Sequence, residues 1–249
     1  MREALEQLLL PAECLLCRAL FSFPDSRRVV CDVCRHRWRT VRPPWCRRCG
    51  QPEPHFGPCR LCADWPVALR VVRSAVWLDA GARAAVHALK YGGLPRIADD
   101  LVAAMQHLDV LRREAACLVP IPLGAARQRQ RGYNQSERLA RALGRRWGRP
   151  VVSLLARSRE TATQTALTPT ARLANVAGAF EVRSGECGVR SGRLPANAAF
   201  RTPNSALVLV DDVFTTGATL AEAARALERA GAATVLGVTF GRAVVPDFT

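Results

Sequence analysis

The sequence contains very little of several residue types that often mark a protein's chemistry. Lys90 is the single lysine among 36 basic residues, and the 249 residues include two tyrosines, two methionines and four histidines. No Gly-x-x-x-x-Gly-Lys segment is present, which excludes an ATP-driven motor of the P-loop class. Long apolar runs are also missing near the start, where Pro11 ends a short stretch at residues 8–10. We therefore expect no secretory signal, no membrane span and a cytoplasmic location.

Arginine and apolar residues are abundant instead. The hydrophobic content of 49% is enough for a packed core in a chain of this length. The net charge is +15, and nearly all of the positive charge is carried by arginine. Guanidinium groups suit the recognition of phosphate and nucleic acid, although net charge alone does not identify a partner.

Eight of the ten cysteines form four Cys-x-x-Cys pairs in the N-terminal quarter of the chain. Two thiolates at this spacing can occupy two corners of a tetrahedral Zn²⁺ site, so four pairs predict one or two structural zinc ions. Ligands can be paired in sequence order or interleaved, and His36 or His55 can replace a cysteine. Disulfides would need an oxidising compartment, against which the missing export signal argues. The predicted ligands are Cys14, Cys17, Cys31, Cys34, Cys46, Cys49, Cys59 and Cys62.

Arginine and tryptophan residues lie between these cysteine pairs. Cations and flat rings together are typical of surfaces that bind single-stranded nucleic acid through phosphate pairing and base stacking. The alternative interpretation is that the two tryptophans fill a small metal-stabilised core. The residues concerned are Arg35, Arg37, Trp38, Arg39, Arg42, Trp45, Arg47 and Arg48.

The pattern changes after Asp64-Trp65-Pro66, which predicts a boundary between residues 1–66, a zinc-ribbon domain, and residues 67–249, an α/β domain. Alternating βα units predict a mostly parallel sheet with helices on both faces. Strands are expected at residues 71–78, 117–121, 150–155, 207–210 and 233–239, and helices at residues 82–89, 95–108, 136–147 and 219–230.

Residues 207–219 combine an apolar strand, Asp211 and Asp212, and a loop of hydroxyl residues around one glycine. Such strand-to-helix loops lie at the carboxyl edge of a parallel sheet, where backbone N–H groups of the next helix attract phosphate. We expect the two carboxylates to accept hydrogen bonds from ribose hydroxyls, with help from a hydrated Mg²⁺. A plain polar turn at a sheet edge is the alternative. The predicted phosphate-binding residues are Thr215, Thr216, Gly217, Ala218 and Thr219.

Several cations are predicted to bind a second anion. Arg127, Arg129 and Arg131 follow the strand at residues 117–121, where guanidinium forks can reach such a group, although a solvated arginine run is the alternative. Lys90 is either a compact ligand-binding cation or an ordinary surface lysine. Residues 157–180 are too long for a simple connection and predict a lid. We expect Gln164 and Arg172 in that lid to contact the substrate.

Residues 207–219 resemble the phosphoribosyl pyrophosphate (PRPP) motif of type I phosphoribosyltransferases. Together with the cysteine pairs, Leu-Lys-Tyr-Gly-Gly, Pro-Ile-Pro and Arg-Gly-Tyr-Asn-Gln, they make nearly the whole chain similar to the ComF family of competence-associated phosphoribosyltransferase-like proteins. The resemblance implies a type I phosphoribosyltransferase fold behind a zinc ribbon, and it implies that the second anion is the pyrophosphate of PRPP. It also implies a link to single-stranded DNA in natural transformation and to proteins of the competence machinery.

Two functions follow from this resemblance. In the first, the chain binds PRPP with Mg²⁺ and transfers phosphoribose to an unidentified acceptor. In the second, it binds single-stranded DNA without catalysis, and the PRPP-like site only senses a ligand. An amidophosphoribosyltransferase is excluded, because position 2 is arginine rather than cysteine and no glutaminase domain is present.

Overall fold

The structure is a computed structural model that describes residues 11–52, 58–159, 176–183 and 206–243. The strands in chain order are β1 (Leu69–Trp77), β2 (Ala115–Pro120), β3 (Leu155–Arg157), β4 (Phe180–Val182), β5 (Ala206–Phe214) and β6 (Val235–Arg242). In the described part of the chain, the main sheet has four strands in the order β1-β6-β5-β2, and every neighbouring pair is parallel. The carboxyl ends of these strands therefore lie along one edge of the sheet.

The α-helices are α1 (Asp32–His36), α2 (Ala80–Tyr91), α3 (Ile97–Ala104), α4 (Ala125–Arg131), α5 (Gln135–Trp147) and α6 (Ala218–Arg229). Their ends follow the local sequence. Asp79 caps α2 by accepting a hydrogen bond from the Ala82 N–H, and Asn134 caps α5 in the same way. Gly148 ends α5 in the left-handed conformation, where a residue without a Cβ has no steric cost. Short 3₁₀ helices occur at Phe23–Asp25, Arg60–Cys62 and Gln106–Arg113.

Strand β5 is apolar on both faces, as the sequence predicts for a buried parallel strand. Val208 and Val210 lie in a core with α2, α3 and α5, whereas Leu207 and Leu209 lie in a second core with α6. The sheet therefore has helices on both faces. This arrangement confirms the predicted fold class.

Several local predictions differ from the structure, including the helix predicted at residues 95–108, which is α3 followed by the 3₁₀ helix Gln106–Arg113. Residues 150–155 make only an isolated parallel bridge, Val151 to Leu118, and the chain then forms the small antiparallel pair β3–β4. Pro150 lacks an N–H, which weakens a longer ladder there. The arginine segment, for which the sequence predicts no helix, forms α4, since its alanine, glutamine and arginine residues favour helix. Strand β5 continues past the predicted loop start as far as Phe214.

The first ribbon, the segment that carries Cys14 to Cys34, is held against α3. Asp100 of α3 is 5% exposed, and its carboxylate accepts hydrogen bonds from the N–H groups of Val29 and Val30 at 2.8 and 3.0 Å. Trp38 is buried and meets Phe240 edge-on, with 5.1 Å between the ring centroids. Trp38 is therefore a core residue, and it is not exposed for base stacking.

The second ribbon, the segment that carries Cys46 to Cys62, packs on the α6 face of the sheet. The Arg48 carbonyl accepts a hydrogen bond from the Val72 N–H at 2.8 Å. Its guanidinium donates to the carbonyl oxygens of Cys62, Trp65, Pro66 and Leu69. Backbone and side-chain bonds thus fix this ribbon to the start of β1.

Candidate functional site

The acidic pair lies near the end of β5, at the carboxyl edge of the sheet. The Asp211 carboxylate accepts hydrogen bonds from the Ser136 hydroxyl at 2.8 Å and from the Asp212 N–H at 2.9 Å. Asp212 forms an ion pair with Lys90, with 3.0 Å between Nζ and Oδ1. The arrangement therefore joins three elements: β5, the end of α2 and the start of α5.

One oxygen of Asp212 has no partner among the described residues. The side chain is only 6% exposed, and its Oδ2 is buried without a hydrogen bond. Leaving a buried carboxylate oxygen unpaired costs free energy, which native proteins usually avoid by adding a donor. This atom marks a place where a hydroxyl, a water molecule or a cation would be stabilised.

The electrostatics of the pair favour a ligand that brings hydrogen-bond donors or positive charge. Burial, followed by the neighbouring charge of Asp212, raises the pKa of Asp211 to about 7. The Ser136 hydroxyl and Lys90 act in the opposite direction. The raised pKa favours the protonated form of Asp211, and a cation or hydroxyl would shift it toward the ionised form.

The threonine loop, residues 215–219, connects β5 to α6. Gly217 has a φ of +76° and precedes the first residue of α6. The Thr216 hydroxyl is buried and accepts a hydrogen bond from the Ala218 N–H at 3.4 Å, whereas Thr215 and Thr219 are half-buried. The loop therefore places hydroxyls and a helix N-terminus at the same sheet edge as the two carboxylates.

The segment between β2 and α5 holds the end of α2 in place. The Arg131 guanidinium donates to the Tyr91 hydroxyl at 3.0 Å and to the Gln135 side chain at 2.9 Å, and it lies 4.6 Å from the Tyr91 ring centre. The Tyr133 hydroxyl donates to the Leu89 carbonyl. Because Tyr91 and Leu89 flank Lys90, these contacts position the ammonium group beside Asp212.

The predicted site residues are thus brought together only in part. Lys90, the acidic pair and the threonine loop meet at the sheet edge. Arg131 is engaged with Tyr91 and Gln135, while Arg127 is half-buried and Arg129 exposed on the outer helix α4. Gln164 and Arg172, together with most of the predicted lid, lie outside the described residues.

Ser136 is a site residue that sequence reasoning missed. Its side chain is fully buried and contacts Asp211, although 75 positions separate the two residues. The only local signal is its place directly after Asn134-Gln135, at the start of α5. A hydroxyl in a helix N-terminus is common, so this signal would not have singled it out.

The eight paired cysteines form two separate clusters in sequence order. In each cluster the four sulfurs lie within 4.8 Å of one another, and the Sγ–Sγ distances include 3.7 Å for Cys17–Cys31 and 3.5 Å for Cys49–Cys59. Zinc–sulfur bonds of about 2.3 Å in a tetrahedron require sulfurs about 3.8 Å apart. The first cysteine cluster is Cys14, Cys17, Cys31 and Cys34, and the second cysteine cluster is Cys46, Cys49, Cys59 and Cys62.

The chemistry of the donors also fits zinc. Burial raises the pKa of the Cys62 thiol to about 12 and raises the pKa of Cys49 as well. A metal ion that binds these two thiols displaces their protons. Backbone N–H groups of Cys31 and Gln51 donate to the sulfurs of Cys14 and Cys49, which helps to stabilise thiolate charge. The two clusters support structural zinc, with sequence-order pairing of the ligands.

Comparisons with known proteins match both parts of the chain. The model of the double zinc ribbon domain matches residues 5–63, and that of the phosphoribosyl transferase domain matches residues 130–242. Among the helices that the structure describes, none has the length and apolar character needed to cross a bilayer.

Named relatives cover nearly the whole chain. It is 32% identical over 240 residues to "DNA utilization protein YhgH" of Escherichia coli (strain K12), covering 92% of this chain and 96% of that protein. It is 33% identical over 239 residues to the protein of the same name from Salmonella typhimurium, with the same coverage. It is 28% identical over 254 residues to "Competence protein ComFC" of Bacillus subtilis, covering 92% and 94%. The chain therefore belongs to the ComF family of competence-associated phosphoribosyltransferase-like proteins, with a double zinc ribbon before the phosphoribosyltransferase domain.

Proposed function

We propose that the carboxyl edge of the sheet binds PRPP or a closely related sugar phosphate. The observation that carries this proposal is the buried Oδ2 of Asp212, which has no partner in the described part of the chain and lies beside Lys90 and the threonine loop. Ribose hydroxyls are donors and would satisfy the two carboxylates, whereas the hydroxyls and N–H groups of the loop suit a 5′-phosphate. Lys90 supplies a compact cation for the pyrophosphate. Mg²⁺ would enter with that pyrophosphate and neutralise part of its charge.

The same residues suit phosphoribosyl transfer. The bond between C1 of the ribose and the pyrophosphate oxygen would break, the pyrophosphate would leave with the electron pair, and an acceptor nucleophile would bond to C1. Positive charge develops on the sugar ring in this step, and the carboxylates of Asp211 and Asp212 would stabilise it. Lys90 would offset negative charge on the leaving group.

Titration calorimetry on the zinc-loaded protein tests the binding step. We expect PRPP with Mg²⁺ to bind, and Asp212→Asn to weaken binding about tenfold or more, because a hydrogen bond to a charged group is lost. Asp99→Asn is the matched control, since Asp99 is an exposed carboxylate on α3 with 65% of its side chain accessible. Wild-type protein that binds none of PRPP, ribose 5-phosphate or pyrophosphate would rule out the proposal.

Turnover has a separate test. Pyrophosphate release is measured with purine bases, pyrimidine bases and single-stranded DNA as candidate acceptors. Release that depends on an acceptor and is lost in Asp212→Asn supports an enzyme. Binding without release for any acceptor would instead assign the site to ligand sensing.

A second candidate function, binding of single-stranded DNA, is favoured by the charge of the chain and by one cleft. The cleft lies between the first ribbon, the residues that follow it and α3, and it has a volume of about 690 Å³. Phosphates and bases suit such a mixture of cations and rings. Its lining includes Arg35, His36, Arg42, Trp45, His107 and Arg146.

Fluorescence anisotropy with a labelled single strand tests this candidate. Affinity should fall steeply with salt, and Arg42→Ser should weaken binding, because Arg42 is exposed in the cleft. Arg229→Ser removes an exposed arginine at the end of α6 and serves as the control. Equal losses in both variants would reduce the interaction to net charge. Any contact with competence proteins would depend on this binding of single-stranded DNA.

A further inference from the structure

The second cysteine cluster and the threonine loop are joined through one buried residue, Arg242, at the end of β6. Arg242 is 2% exposed. Its guanidinium donates to the Cys49 carbonyl at 3.0 Å and to the Gln51 side-chain oxygen at 2.8 Å. The Gln51 N–H in turn donates to the Cys49 sulfur. Arg242 therefore holds the backbone turn that carries one of the zinc ligands.

The same guanidinium also packs on the strand that leads into the loop. It lies 4.3 Å from the centre of the Phe214 ring, and Phe214 is the last residue of β5, directly before Thr215. Phe214 and Arg242 are partners in the β5–β6 register. A cation over an aromatic face is attractive, more strongly so when both are removed from water.

The threonine loop is shaped by two aromatic rings. Trp65, just after the second ribbon, meets Phe214 edge-on with 6.2 Å between centroids. A Cβ on Gly217 would lie 2.5 Å from Cζ2 of Trp65 and 2.9 Å from Cε2 of Phe214. Only a glycine lets the loop pass this close to the rings. The Arg48 guanidinium donates hydrogen bonds to the carbonyls of both Cys62 and Trp65, so the second ribbon also fixes the position of Trp65.

Charge links the metal to this arrangement. A Zn²⁺ ion with four thiolates carries a net negative charge of about two units. Beside it, that charge stabilises the buried guanidinium of Arg242, and loss of the metal with protonation of the thiols would remove this contribution. Loss of the metal would therefore disturb both the turn at Cys49 and the cation that packs on Phe214.

We propose that Arg242 is a positioning residue through which zinc in the second cysteine cluster holds the threonine loop in its ligand-binding shape. The ordering of the threonine loop by Arg242 does not depend on the proposed function. The consequence for ligand affinity rests on the proposed function. The second ribbon is therefore a structural part of the site formed by the threonine loop.

Hydrogen exchange by mass spectrometry on the full chain tests the ordering. Arg242→Met keeps the bulk but removes the charge and both hydrogen bonds, and Cys59→Ser removes one ligand of the second cluster. Cys17→Ser, in the first cluster, is the matched control. We expect about tenfold faster exchange in residues 214–221 for the first two variants. We expect no change there for Cys17→Ser, although metal analysis should show one zinc lost.

Ligand binding supplies a readout that a general loss of stability would not produce. PRPP and ribose 5-phosphate share the 5′-phosphate, so Arg242→Met should weaken both about 10- to 100-fold. Pyrophosphate alone should bind as it does to the wild type. Equal weakening of all three ligands would show a general effect and overturn the proposal.

Two further outcomes are decisive. Unchanged exchange in residues 214–221 of zinc-loaded Arg242→Met would overturn the proposal, and so would equal effects of Cys17→Ser and Cys59→Ser. Should Cys59→Ser fail to fold, Arg242→Met and Gln51→Leu decide the matter, because both keep all eight thiols. If the wild type binds no sugar phosphate, the proposed function fails while the exchange experiment still tests the ordering of the loop.

Discussion

The two ribbons share the same cysteine spacing but are attached to the α/β domain in different ways. The first ribbon is held by the carboxylate of Asp100 and by Trp38, on the face that carries α3. The second is held by the guanidinium of Arg48 at the start of β1 and by that of Arg242 at the end of β6, the strand end next to the candidate site. One motif thus has two different relations to the site. The comparison predicts that substitutions in the second ribbon alter the structure of the candidate site, whereas substitutions in the first ribbon change only their own surroundings.

The largest expected effect comes from removing a buried ligand of the second cluster. Cys49 is fully buried in the core shared with Trp65 and α6. Cys49→Ser should lower the free energy of unfolding by about 4 kcal/mol or more, because a metal ligand in a core is lost. Cys17→Ser, at an exposed ligand, should cost less. Chemical denaturation of both variants measures the difference, and equal costs would contradict it.

A substitution at Gly217 should have the next largest effect. Gly217→Ala introduces a Cβ at a positive φ and against Trp65, which should cost about 2–4 kcal/mol. In a Trp65→Ala background part of that cost should disappear, because the ring that the new Cβ meets is gone. A double-mutant cycle measures the coupling. Simple additivity of the two changes would show that Trp65 does not restrict the loop.

The attachment of the first ribbon predicts a smaller effect. Asp100→Ala leaves the N–H groups of Val29 and Val30 buried without an acceptor, which should cost about 2 kcal/mol. The first zinc should also be released faster to a chromogenic chelator, while exchange in residues 214–221 stays unchanged. Asp99→Ala, which changes the exposed neighbouring residue, is the control. Faster exchange in the threonine loop of Asp100→Ala would remove the contrast between the ribbons.

The last prediction concerns the pH dependence of stability at the acidic pair. Because the folded state raises the pKa of Asp211 from 3.8 to about 7, it binds this proton more tightly than the unfolded chain does. The resulting stabilisation is complete below about pH 4 and is lost as the pH rises to about 7. Relative to Asp211→Asn, the wild type should lose unfolding free energy over that window. Zinc binding weakens as the pH falls, because the cysteine ligands become protonated. The comparison with Asp211→Asn cancels this contribution, since both proteins bind the same zinc ions.

The pH dependence can be checked by denaturation at a series of pH values. Parallel curves for the wild type and Asp211→Asn would contradict a raised pKa of Asp211. Ser136→Ala sharpens the test, because loss of its hydrogen bond to the carboxylate should raise that pKa further.

Strong local signals explain which parts of the structure could be predicted. The Cys-x-x-Cys pairs predicted zinc clusters because the ligand spacing is fixed by metal geometry. The apolar run before Asp211 and the helical pattern that ends before Gly231 predicted β5 and α6 because burial and periodicity are local properties of the sequence.

Contacts between distant residues could not be predicted in this way. Ser136 and Arg242 are ordinary residues in a helix and a strand, and their roles appear only when the chain brings them to Asp211 and to Cys49. The contribution of Trp65 to the loop depends on a distance of a few ångströms between segments far apart in sequence. The length of β5 was underestimated because aspartate is rare in strands, whereas pairing with β6 continues past the acidic pair to Phe214.

A crystal structure of the zinc-loaded protein soaked with PRPP and Mg²⁺ would test the central claim most directly. The account predicts the 5′-phosphate on residues 215–219, ribose hydroxyls on Asp211 and Asp212, and a donor within hydrogen-bond distance of Oδ2 of Asp212. A soak at saturating concentration that leaves this edge empty, or that places the ligand elsewhere on the chain, would contradict it.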